Sequence, residues 1–75
     1  RDFDSALSEF QKVIANYPRS SKVPDALLKS SYILYEKQQW SEARSTLQSL
    51  IDQYPSSTAS RLAADRLKRM QAEGH

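Results

Sequence analysis

Apolar residues fall along the chain in four blocks, each at helical spacing. In the first, Phe3, Ala6, Phe10, Val13, Ile14 and Tyr17 form one stripe with polar residues between them, the period of an amphipathic helix. Trp40, Ala43, Leu47, Leu50, Ile51 and Tyr54 repeat that stripe in the third block. The second block, from about Lys22 to Gln38, is different: Ala26, Leu27, Leu28, Tyr32, Ile33, Leu34 and Tyr35 spread around most of the cylinder. A helix apolar on so many sides is packed on more than one of them, so this one is expected to be the central member. In the fourth block, about Ala59 to Gln71, Ala59, Leu62, Ala63, Leu67 and Met70 are expected to face inward. Arg61, Asp65, Arg66, Lys68 and Arg69 are expected to face out, the polar outer face that the end of a stack requires.

The boundaries are marked by residues that stop or start helices. Pro18 and Pro55 disfavour helical geometry in the tyrosine before each of them. Arg19-Ser20-Ser21 and Ser56-Ser57-Thr58 then offer hydroxyls to cap the next helix. Pro24 falls in a first turn, where its missing N–H costs nothing, and Gly74 stands where it can close the last helix. The reading is all-α: four helices joined by short loops that make neighbours antiparallel.

The first and third blocks are also copies of each other. Ala6 through Pro18 returns as Ala43 through Pro55 at an offset of 37 residues, with Ala, Ser, Gln, Ile, Tyr and Pro at fixed places. Phe3 matches Trp40, Phe10 matches Leu47 and Val13 matches Leu50; beyond the prolines Ser20 matches Ser57 and Ala26 matches Ala63. A period of this length is the mark of a solenoid or array.

Composition narrows the function more than it names it. With 75 residues the chain is one small domain. Eleven basic and nine acidic residues leave a net charge of +2, too balanced for a nucleic-acid or anionic-membrane surface. The basic group Arg61, Arg66, Lys68 and Arg69 is diluted by Asp65 and Glu73 and reads as a solvated face. No Cys is present, which removes disulfides, thiolate nucleophiles and Cys-based metal sites and suits an oxidising compartment. One Gly cannot make a phosphate loop, and the carboxylates Asp2, Asp4, Asp25 and Asp52 form no paired motif. His75, the sole His, ends the chain away from any catalytic arrangement. The expectation is therefore no enzyme, no catalytic residue, no metal and no cofactor. No apolar run reaches the roughly 20 residues of a spanning helix. The chain begins at Arg1 without Met and inside a helical pattern, so a segment of a longer protein is expected.

These residues resemble the tetratricopeptide repeat (TPR). The small slot of that repeat's second helix matches Ala43, its large slot Leu47 and its closing proline Pro55; in the first helix Ser31 stands in the glycine slot and Leu34 in the large slot. The resemblance implies a right-handed superhelix of antiparallel helix pairs across residues 1–75: the second helix of one repeat over 2–17, a complete repeat over 22–55, and a terminal capping helix over 58–72. Ser31 and Lys68 in the glycine slot, and the extra residues in Arg19 to Val23, depart from the commonest pattern. They bring the chain closer to one subgroup, the C-terminal domains of the YbgF (CpoB) family of the Tol–Pal system. Ala6, Phe10, Tyr17-Pro18, the run Lys22 to Lys29, Tyr54-Pro55 and Arg66-Leu67 carry that likeness, and Ser21 to Lys29 is its most specific part. The family implies a periplasmic parent, a trimer through an N-terminal coiled coil, binding to TolA, and coordination of envelope constriction with septal peptidoglycan synthesis in cell division. The outer-membrane assembly lipoproteins of the BamD family are similar in their Tyr-Pro-ended repeats and are the nearest alternative.

By the same resemblance, the groove lined by first helices would present Asp25, Leu28, Tyr32, Tyr35 and Glu36 from the complete repeat. From the last helix it would present Leu62, Asp65, Arg69 and Ala72. Leu28 and Tyr32 stand where TPR proteins that bind a chain-terminal carboxylate carry Lys and Asn, so a helix or extended segment docked by apolar contact is the expected ligand. Tyr32 and Tyr35 serve equally well as packing between helices. Trp40 reads as core, and Tyr17 and Tyr54, at equivalent points, as architecture. A stripe of Phe3, Ala6, Phe10 and Val13 lacking its partner helix would make the segment a monomer that dimerises through that stripe, or a self-associating TPR module.

Overall fold

A computed structural model describes residues 2–75; Arg1, the first residue of the expected helical pattern, lies outside the described residues. Four helices follow in order: α1 (Phe3–Asn16), α2 (Val23–Glu36), α3 (Trp40–Gln53) and α4 (Thr58–Ala72). Among the described residues there is no strand, and no helix is long and apolar enough to cross a membrane.

The copy seen in the sequence is a copy in space. Helices α1 and α3 end in the same way, at Tyr17 (φ −132°, ψ 58°) and Tyr54 (φ −133°, ψ 57°). Each tyrosine N–H donates back to a carbonyl four residues earlier, Val13 and Leu50, at 2.9 Å. Two residues past each proline the chain turns again, with Ser20 and Ser57 N–H groups donating to the Tyr17 and Tyr54 carbonyls. The first helix of each pair ends differently, in a left-handed residue. At the end of α2 that residue is Gln38 (φ 62°), with Gln39 N–H donating to the Leu34 carbonyl (2.9 Å); after α4 it is Gly74 (φ 83°), with His75 N–H donating to the Met70 carbonyl (2.8 Å). Both close the final turn by satisfying carbonyls the helix leaves open.

The N-terminal ends are less uniform. Asp2 accepts from Ser5 N–H (3.0 Å) to cap α1, an arrangement that holds its carboxyl below the ordinary range through hydrogen bonding to Ser5, and Ser57 accepts from Ser60 N–H (3.1 Å) to cap α4. The serine cap expected for α2 is not formed. Its N-cap is Lys22, which has no capping side chain, and Ser20 Oγ instead accepts from Lys22 N–H (3.2 Å). The extra residues of this loop move the hydroxyl one turn ahead of the helix start, and Pro24 removes one of the donors a cap would have served.

The core lies where α2, α3 and α4 meet: Leu28, Leu34, Ala43, Leu47, Leu50, Ala63 and Met70. Helix α2 touches all three other helices, whereas α1 touches α2 alone. Accordingly α2 holds seven buried residues and α1 none. This asymmetry corrects the reading of Tyr17. Tyr54 is half-buried and its hydroxyl donates to the Pro18 carbonyl of the preceding turn (3.4 Å), but Tyr17, its counterpart, is 65% exposed. Tyrosine at this place is held by the loop of the preceding unit, and the described residues contain no such unit before α1.

Equivalent positions should therefore differ in what they contribute. Leu47 is fully buried, while Phe10, one repeat earlier, is partly exposed. Leu47→Ala is expected to destabilise the chain by about 2–5 kcal/mol through lost burial and a cavity, and Phe10→Ala by roughly 1–2 kcal/mol. Urea unfolding followed by circular dichroism reads both.

Candidate protein-binding face

Curvature decides which face can receive a ligand. Helices α2 and α4 are in contact with each other, while α1 and α3 are not. The array thus closes on the side of the first helices and opens on the other, and α2 and α4 line its inner face.

One end of that face is an apolar cleft of about 290 Å³ between the first turns of the two helices. Pro24 and Leu28 line it from α2, Ala59 and Leu62 from α4, with Ser21 and Asp25 at its rim. Leu28 is only 4% exposed and belongs to the core, so it offers the floor of the cleft and little area beyond. Leu62 is 45% exposed. It does not turn into the core as the periodicity of α4 suggested, because α4 packs on α2 and α3 through Ala63 and Met70 and leaves the Leu62 edge on the rim. Asp25 is exposed and pairs with Lys29 (3.1 Å).

The other end is aromatic and charged. Tyr32 and Tyr35 are half-buried against the core. The Arg66 guanidinium lies over both rings, 4.6 Å from the Tyr32 centroid and 5.2 Å from that of Tyr35. The Tyr35 hydroxyl donates to Glu73 Oε1, and Arg69 Nε reaches Glu73 Oε2 (3.3 Å). Tyr35 also meets the edge of Trp40 (4.9 Å), and Trp40 is covered face to face by His75 (3.6 Å, 12°). Glu36, Asp65 and Ala72 are exposed, and the Glu36 and Asp65 carboxylates have no ion-pair partner among the described residues. Tyr32, Tyr35, Arg69 and Glu73 are thus brought together, while Asp65 stands apart from this cluster.

Three members were hidden from the sequence. Arg66 was expected on a solvated outer face but folds back across α2. Glu73 caps the end of α4 and from there meets Tyr35 and Arg69, while His75 reaches Trp40 through the turn at Gly74. The one available signal was the spacing of Arg66, Arg69 and Glu73, which puts all three on one face of a helix. Among the described residues no group of three His, Cys, Asp or Glu is placed to hold a metal.

An all-α stack of antiparallel helix pairs, repeating at a fixed offset and curved toward its first helices, defines a helical-repeat solenoid of the kind that presents an inner face to other proteins. The Tetratricopeptide repeat family matches residues 1–20 and 25–57, most of the chain, and the chain belongs to that family. Repeats of this family are in general non-catalytic modules for binding other proteins. No curated protein matches the chain.

The Tyr35–Glu73 bond gives the face a pH dependence. The hydrogen bond from Tyr35 lowers the Glu73 pKa from 4.5, and the same bond raises that of Tyr35 from 10.0. A depressed carboxyl stabilises the fold above its unfolded value and loses that effect as pH falls through the folded value; a raised phenol loses its contribution as pH climbs above its unfolded value. The bond is therefore fully effective between about pH 4.5 and 10. The stability gap between the wild type and Tyr35→Phe is expected to be largest near neutrality and to shrink below pH 4.5 and above pH 10, as read by thermal unfolding across pH.

Proposed function

We propose that the chain is a non-enzymatic, periplasmic protein-interaction scaffold of the Tol–Pal system. In this reading it binds TolA on the α2/α4 face and coordinates envelope constriction with septal peptidoglycan synthesis during division. The parent protein trimerises through an N-terminal coiled coil. Membership of the repeat family supports a protein-binding role. The likeness of Ser21 to Lys29 to the YbgF family supports the particular system. The observation that carries the reading is the inner face itself, with an apolar cleft bounded by Leu28 and Leu62 at one end and Tyr32, Tyr35 and Arg69 at the other. Aromatic and arginine side chains dominate binding energy at protein interfaces because they combine large contact area with polar ends. Asp25 and Glu36 border this surface and tune its charge.

The test is a titration of the isotope-labelled chain with TolA domains. Amide shifts are expected to cluster on Leu28, Tyr32, Tyr35 and Arg69, and Tyr32→Ala is expected to weaken binding roughly five- to thirtyfold, a loss of about 1–2 kcal/mol. Undiminished binding by that variant would move the site elsewhere.

The α1 surface supports a second reading, self-association. Helix α1 buries none of its residues; Phe3, Ala6, Phe10 and Val13 are half-exposed and Tyr17 is 65% exposed. An uncovered apolar stripe seeks cover. Light scattering is expected to show a mass above the monomer at millimolar concentration, and a monomer throughout that range would defeat this reading.

A further inference from the structure

Arg66 is held in an unusual way for a cation near a surface. It is half-buried, its guanidinium lies over Tyr32 and Tyr35, and no carboxylate among the described residues lies within ion-pair distance of it. The neighbouring charges are otherwise engaged: Asp25 pairs with Lys29, and Glu73 is shared by Tyr35 and Arg69. Asp65 does not compete. It is exposed, forms no ion pair among the described residues, and stands about 100° around the helix axis from Arg66.

A guanidinium stacked by its face keeps its N–H edge for a partner, and that edge matches a carboxylate in a two-point contact. The stack also fixes the side chain in advance, so less freedom is lost when a ligand arrives. Leu62 precedes Arg66 by four residues on the same strip of α4. One helical turn separates them, about 6 Å along the axis. In an extended chain, side chains two residues apart lie on one side at a separation of about 6.6 Å. The backbone positions that carry Leu62 and Arg66 are therefore spaced like alternate residues of an extended segment.

We propose that the α2/α4 face binds an extended peptide carrying an apolar side chain and, two residues away, an Asp or Glu whose carboxylate is held by Arg66. The apolar side chain enters the cleft between Leu28 and Leu62. The proposal rests on the reading of this face as the docking surface and specifies what it selects.

Two synthetic peptides test it, acetyl-Thr-Leu-Thr-Glu-Thr-amide and its counterpart with Gln for Glu, each added at millimolar concentration to the labelled 75-residue chain. The Glu peptide is expected to move the Leu62 methyl and Arg66 Nε–H resonances, and the Gln peptide to bind roughly tenfold more weakly, the effect of exchanging a charged acceptor for a neutral one. Arg66→Lys keeps the charge but loses the planar edge, and is expected to abolish most of the preference for Glu while helical circular dichroism is unchanged. Equal binding of both peptides with shifts at Leu62 would overturn the carboxylate assignment and leave the docking face intact. Shifts from neither peptide, in a chain that still responds to TolA, would overturn the proposed ligand alone. Undiminished preference in Arg66→Lys would remove Arg66 from the site.

Discussion

Helices of 14 or 15 residues are marginal in water by themselves, so none of the four here stands without its neighbours. The burden falls on α2. It alone touches every other helix, and it buries the largest number of side chains. Its apolar residues run around most of its circumference because it must satisfy α1 on one side, α3 on another and α4 across the inner face. The contact with α4 bends the array, and the bend turns two rows of side chains into a surface that faces a common space. The binding face is thus a consequence of how α2 is buried.

The same arrangement grades the rest of the molecule. Helix α3 sits between α2 and α4, and its Ala43, Leu47 and Leu50 are inaccessible to solvent. Helix α1 carries the same pattern of residues but has one neighbour, and none of its side chains reaches full burial. Stability is therefore unevenly distributed although the sequence is repetitive, as expected when each unit draws its energy from the units beside it.

The fold was largely legible in the sequence, for a reason particular to repeats. The 37-residue offset displays each architectural slot twice, so a coincidence at one position is exposed by its partner. Helix order, the closing prolines and the central place of α2 all follow from periodicity and this comparison. Legibility failed where a residue's surroundings depend on which neighbours exist: the pattern shows that Tyr17 and Tyr54 are equivalent but not that only one has a loop to rest on. It failed again at Leu62 and Arg66. Helical periodicity assigns a direction around the axis of α4, whereas a leucine beside a cleft and a long arginine stem reaching across to α2 are set by the distance between helices, which no single helix encodes. The candidate site itself was read through family resemblance, and the structure adds the pairing of Tyr35 with Glu73 and of Arg66 with the tyrosine rings.

The stack of His75 on Trp40 has an optical consequence. Trp40 is the single tryptophan, so all indole emission comes from one place, the junction where α2 passes into α3. An imidazole lies parallel to that indole at 3.6 Å, brought there by the left-handed turn at Gly74. Lifting the last two residues uncovers the ring to water, and any ligand that draws Tyr35 or Glu73 away disturbs the same contact from the other side. The molecule carries a built-in fluorophore that reports the seating of its C-terminal turn and the occupancy of the neighbouring face without a label.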